Sequence, residues 1–126
     1  MDASAVIDLL LRSGAWEQVS RRFAPGSIHA PELLDLEVLQ VLRRYRLNET
    51  LSLSRAREAV MDLAGLPIQR YSHEPFRERI WALHENLTAY DACYVALAEA
   101  LEAPLVTCDR RLSRSAGHGA EIQVVS

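Results

Sequence analysis

Residues 92–98, read as ACYVALA, are apolar on every side of a helical wheel. A surface helix carries a polar face, so a helix made from this run is buried all round, and other elements must enclose it. The chain then passes Pro104 into a second apolar run, Leu105-Val106-Thr107-Cys108, made of residue types that favour buried strands. That run stops at Asp109, followed at once by Arg110 and Arg111. A carboxylate at the tip of a buried strand, with guanidiniums beside it, needs an explanation.

The rest of the chain repeats the alternation of helix and short strand. Helices are predicted over residues 4–12 with Ser4 as N-cap, 15–23, 31–46, 54–64, 74–84 and 88–102, with a short one from 110. Trp16, Val19, Arg22 and Phe23 share a face of the second, and Leu34, Val38, Val41, Leu42 and Tyr45 form the stripe of the third, where Pro31 suits the first position. Strands are predicted over 27–30, 66–71, 105–108 and 121–125; Pro67 places its strand early or at an edge, and Ser13-Gly14 and Pro25-Gly26 read as turns. The pattern predicts an α/β fold with a central parallel sheet, organised as one domain over residues 1–126. In such sheets ligands bind beyond the carboxyl ends of the strands, which is where Asp109 falls.

Composition narrows the chemistry. All 14 basic residues are Arg, so Schiff-base chemistry, Lys general bases and P-loops are excluded, and a net charge of −3 confines any nucleic-acid contact to a local patch. Cys93 and Cys108 fit neither a disulfide scaffold nor a zinc pattern and read as reduced core residues. His29, His73, His84 and His118 lack metal-ligand spacing; Trp16 and Trp81 read as core or interface residues. No run reaches the roughly 20 apolar residues of a membrane span, and the start has no basic leader, so a cytoplasmic protein is expected.

The acids each have two readings. Asp109 precedes a helical turn and suits an N-cap. Thr88-Ala89-Tyr90-Asp91 fits a capping box, yet Asp91 opens the buried helix, so it is a cap, a ligand or both. Glu37 borders the apolar stripe, as a surface Glu or as a site residue. Asp2 is either a loose terminal residue or part of the site, and Asp8 reads as solvated. Asp2, Glu37, Asp91 and Asp109 all sit at or near element ends. If those ends converge, the carboxylates repel one another and persist as a cluster only with hard cations; an all-oxygen set favours Mg²⁺ or Mn²⁺ over zinc.

Asp2-Ala3-Ser4-Ala5, Leu36-Glu37-Val38-Leu39, Thr88-Ala89-Tyr90-Asp91-Ala92 and Thr107-Cys108-Asp109-Arg110-Arg111-Leu112 resemble the four acidic motifs of the PIN-domain family, in order and across almost the whole chain. The match is closest to its bacterial VapC-type toxins. The resemblance implies a three-layer fold with a parallel sheet flanked by helices, and a Mg²⁺- or Mn²⁺-dependent endoribonuclease. It implies Asp2, Glu37, Asp91 and Asp109 as the acidic catalytic residues, Asp2, Asp91 and Asp109 as metal ligands, and Ser4 and Thr107 as supporting hydroxyls. Arg110, Arg111 and Arg114 flank the cleft, as holders of RNA phosphates or as a solvated turn. The resemblance also implies a homodimer restrained by a small antitoxin that inserts an Arg into the acidic cleft; the face carrying Trp16, Val19 and Phe23 is either its groove or simply core. One departure stands out. The first acidic motif of the family ends a hydrophobic strand, and only Met1 precedes Asp2, so a start upstream or a stunted strand is expected.

Rival classes are a phosphoacceptor signalling module, which needs a Lys this chain lacks, and a non-catalytic RNA binder, which would gain from losing its acids.

Overall fold

The computed structural model describes residues 1–22 and 28–126. Phe23, the Pro25-Gly26 turn and the first residue of the strand expected over 27–30 lie outside the described residues.

Helix α1 (Ala3–Leu11) is capped by Asp2 rather than by Ser4, because the Asp2 carboxylate accepts the Ala5 N–H while the Ser4 hydroxyl is used elsewhere. It ends at Arg12, whose φ of 50° lies in the left-handed region, and α2 (Trp16–Arg21) follows. Strand β1 (Ile28–Pro31) includes Pro31, so the proline ends a strand instead of starting a helix, and α3 (Leu33–Leu47) begins beyond it. Helix α4 (Leu53–Gly65) is capped by Ser52, and β2 (Ile68–Tyr71) starts just after Pro67. The helix expected over 74–84 is broken into a 3₁₀ turn (Glu74–Phe76) and α5 (Arg77–Ala82), with Pro75 in the 3₁₀ turn. Thr88 caps α6 (Ala89–Leu101); then come β3 (Leu105–Thr107), the short α7 (Arg110–Ser113) and β4 (Ile122–Val124).

The strands form two parallel ladders, β1 with β2 and β3 with β4, in registers that pair Ile28 with Ile68 and Leu105 with Ile122. Met1 and Asp2 join them. The Met1 amino group donates to the His29 carbonyl at 3.3 Å, and the Asp2 N–H donates to the Val106 carbonyl at 3.1 Å. These two residues therefore bridge the two ladders, at the place where the family resemblance implied a strand.

Successive strand residues point to opposite faces. Leu105 accordingly packs into the larger core, with Val6, Leu34, Val38, Leu63 and Val95 from α1, α3, α4 and α6. Val106 packs into a smaller one, with Ala5, Ala15, Val19 and Val125. Helices thus cover both faces, and the result is the expected three-layer α/β arrangement. Every residue of 92–98 is buried, as an all-apolar helix requires. Among the described residues no helix is long and apolar enough to cross a membrane.

Candidate active site

Asp2 is buried where the start of α1 meets the end of β3. One carboxylate oxygen accepts from the Ser4 hydroxyl at 2.6 Å and from the Ala5 N–H at 3.3 Å; the other accepts from the Thr107 hydroxyl. A hydroxyl can donate and accept at once, and both of these do. Thr107 Oγ1 accepts the Asp109 N–H at 2.9 Å, and Ser4 Oγ accepts the Cys108 N–H at 2.9 Å. The two oxygens lie 3.3 Å apart. The backbone that leads into Asp109 is therefore tied to Asp2 through two side chains.

Asp109 caps α7, accepting the Arg111 N–H at 2.9 Å. The Arg111 guanidinium also grips its carboxylate with both arms, at 2.7 and 3.1 Å. This partner holds the Asp109 carboxyl below the usual carboxylate range. Asp91 occupies the first turn of α6, and its N–H donates to Thr88 Oγ1 at 3.1 Å, the capping geometry the sequence suggested. Burial pushes the Asp91 carboxyl up; Arg111 pulls it down, and Asp109 and Asp2 push it up further. Glu37, half-buried on α3, is pushed up chiefly by burial and also by Asp91 and Asp2, while the Tyr94 hydroxyl acts in the opposite direction.

The structure thus brings Asp2, Ser4, Thr107 and Asp109 into one hydrogen-bond network, and Glu37 and Asp91 within electrostatic reach of Asp2. Among the described residues, no three His, Cys, Asp or Glu side chains converge tightly enough to grip a metal ion as they stand. The donors nonetheless suit a hard cation. All are carboxylate oxygens, and Glu37 and Asp91 are kept from easy ionisation by burial and by like charge, a cost that a divalent ion removes. Arg110 and Arg114 are exposed on and just after α7, whereas Arg111 is engaged by Asp109.

Three features correct or extend the sequence reading. Asp8 is not a solvated bystander: it accepts from the Ala15 N–H at 2.9 Å, the Ser13 hydroxyl at 3.2 Å and the Cys108 thiol at 3.3 Å. It clamps the α1–α2 turn against the end of β3, and burial together with Asp8 pushes the Cys108 thiol up to about 12. Gly14 was the legible signal, since a Cβ on this left-handed residue (φ 50°) would stand 2.6 Å from the Asp8 carboxylate. Second, Val19 is wholly buried against Ala5, Val106 and Val125, so of the two readings of the α2 face, groove or core, core holds at that position; Phe23 lies outside the described residues. The large exposed apolar side chains lie elsewhere, Leu36 (68% exposed) on α3 and Trp81 (70%) on α5 among them. Third, Tyr94, counted with the apolar run, carries a buried hydroxyl beside Glu37.

Comparison with known proteins gives a consistent picture. The family model described as the PIN domain matches residues 1–117. Ribonuclease VapC12 of Mycobacterium tuberculosis is 39% identical over 126 residues, covering 100% of this chain and 98% of that protein. Ribonuclease VapC1 of the same organism is 46% identical over 127 residues, covering 99% and 96%. Among solved structures, PAE2754 from Pyrobaculum aerophilum superposes with a TM-score of 0.68 at 25% identity, over 98% of this chain and 81% of that one.

Proposed function

Since this chain belongs to the PIN-domain family, we propose that its acidic cleft is the metal site of an endoribonuclease, the toxin of a toxin–antitoxin pair. The observation that carries the reading is the hydrogen-bond network that ties Asp2 through Ser4 and Thr107 to the backbone of Asp109, with the carboxyls of Glu37 and Asp91 both repelled by Asp2. Full-length similarity to VapC ribonucleases supports it.

Asp2, Asp91 and Asp109 would hold Mg²⁺ or Mn²⁺, with Glu37 as the fourth acid of the cleft. When bound, the ion supplies an acidified water and neutralises charge on the scissile phosphodiester. The chain's own residues do the rest. Ser4 and Thr107 fix both oxygens of Asp2, so its orientation costs nothing at the moment of reaction. Asp91, held in the first turn of α6 at the same cleft, would also serve as the base that accepts a proton there. Arg110 and Arg114 stand ready for phosphates, and Arg111 joins them once a cation replaces its guanidinium at Asp109.

The Arg111–Asp109 contact also supports the mode of restraint. A guanidinium already takes this carboxylate in two-armed geometry, so an Arg offered by a small VapB-like antitoxin would bind the metal-free cleft in competition with the ion. Assembly as a homodimer is supported by the exposed apolar side chains. Trp81 and Tyr90 border a hollow of about 650 Å³ with Leu33, Ile80 and Leu87, and both side chains are largely exposed, which is surface a second copy would cover.

The test is cleavage of total RNA by purified protein with Mg²⁺, with Mn²⁺ and with chelator, for the parent and for Asp91→Asn. Metal-dependent cutting lost by at least a hundredfold in Asp91→Asn, with an unchanged melting profile, is the expected result. Equal cutting by Asp91→Asn and the parent refutes the assignment.

A further inference from the structure

Tyr94 lies one turn after Asp91 on α6, and only 4% of it is exposed. Its ring belongs to the same core cluster as Leu34 and Val38 of α3, the residues on either side of Glu37 in the helical stripe. Its hydroxyl is buried with no partner at full hydrogen-bond geometry among the described residues. An unsatisfied buried hydroxyl costs on the order of 1–3 kcal/mol, and Phe would fill the same space without that cost. The phenol therefore needs a reason. The acid that bears on it most is Glu37, with weaker effects from Asp2 and the Cys93 thiol.

We propose that Tyr94 is a positioning residue of the acidic cleft: its hydroxyl donates a hydrogen bond to the Glu37 carboxylate and fixes that carboxylate toward the cation site. The inference rests on the metal reading of the cleft. Glu37 is the acid that most needs such a hold. Its side chain is long, it is only half-buried, and both Asp91 and Asp2 repel it. Asp2 has Ser4 and Thr107 to hold it, and Asp109 has its cap and Arg111. A neutral donor is the right kind of tether here. A Lys or Arg would bring a positive charge that competes with the metal, whereas a phenol stabilises the anion and leaves its charge available. Burial and Glu37 push the Tyr94 phenol far above its ordinary range, so it stays protonated and able to donate at every working pH.

The experiment uses the full chain, with Mn²⁺ binding followed by calorimetry and spin resonance, and with thermal melts of the metal-free protein. The variants are Tyr94→Phe, Glu37→Gln and the double substitution. Tyr94→Phe is expected to weaken Mn²⁺ binding roughly tenfold, the low end of the loss when a residue that orients the acids around a metal is removed. It should have no further effect in the Glu37→Gln background, and the two substitutions should be non-additive in melting temperature without metal. Equal Mn²⁺ affinity for parent and Tyr94→Phe, with additive melting shifts, overturns the proposal. A parent that takes up no Mn²⁺, yet shows non-additive melting shifts, overturns the metal reading while upholding the Tyr94–Glu37 contact.

Discussion

Thr107 is the most informative single perturbation, because its hydroxyl serves two elements at once. It is fully buried, donates to Asp2 and accepts the Asp109 N–H at 2.9 Å. Thr107→Val keeps the shape and removes only the hydroxyl. The bond to a charged carboxylate contributes about 1.5–3 kcal/mol and the bond from a backbone N–H about 0.5–1.5. Water cannot reach a wholly buried site to replace either, so the expected loss is about 2–4.5 kcal/mol. For a domain of this size that lowers the melting temperature by roughly 6–20 °C. Thr107→Ser is the control. It keeps both hydrogen bonds and loses one methyl, a cost of about 1 kcal/mol. The order of stability should therefore be Thr, then Ser, then Val, measured by thermal melts and by urea unfolding. Val as stable as Ser, or within about 2 °C of Thr, would show that packing rather than the hydroxyl holds β3 to the chain start.

Two further outcomes are expected. Because the folded-state carboxyls of Asp91 and Glu37 are raised, the folded protein binds more protons than the unfolded chain from their ordinary values, 3.8 and 4.5, upward. The stability of the metal-free protein should then fall as pH rises through that window. Asp109, held low by Arg111, acts oppositely: its contribution is present above 3.8 and is lost as pH falls through its lowered value. Urea unfolding between mildly acidic and neutral pH, with and without Mn²⁺, measures the balance; a metal-free protein most stable at neutral pH contradicts it. For RNA binding, Arg110→Ala plus Arg114→Ala should reduce the slope of log affinity against log salt by roughly 0.7 for each phosphate of single-stranded RNA that is no longer neutralised. Arg111→Ala alone should do so only when divalent metal is present, since Asp109 otherwise holds it; filter binding across a salt series checks both.

Much of this was legible from residue order alone. An apolar run with no polar face can only be an interior helix, so α6 was determined by its own composition. The alternation of short strands with helices dictated the parallel α/β class, and the cap Thr88 announces itself because an orphan N–H needs a nearby oxygen. The acids stood out because each falls at or near an element end. What sequence could not decide was anything that depends on contacts between distant segments. Ser4 looked like a helix cap by local rule, but Asp2 took that place because β3 engages the Ser4 hydroxyl from 104 residues away. Asp8 looked solvated until the fold brought Cys108 against it. Val19 read equally as a docking residue or as core, and only the packing of Ala5, Val106 and Val125 over it decides for core. Local hydrogen bonding and periodicity are properties of neighbouring residues and can be read in order. Burial and pairing across the chain are set by which segments meet, and only the tertiary structure fixes that.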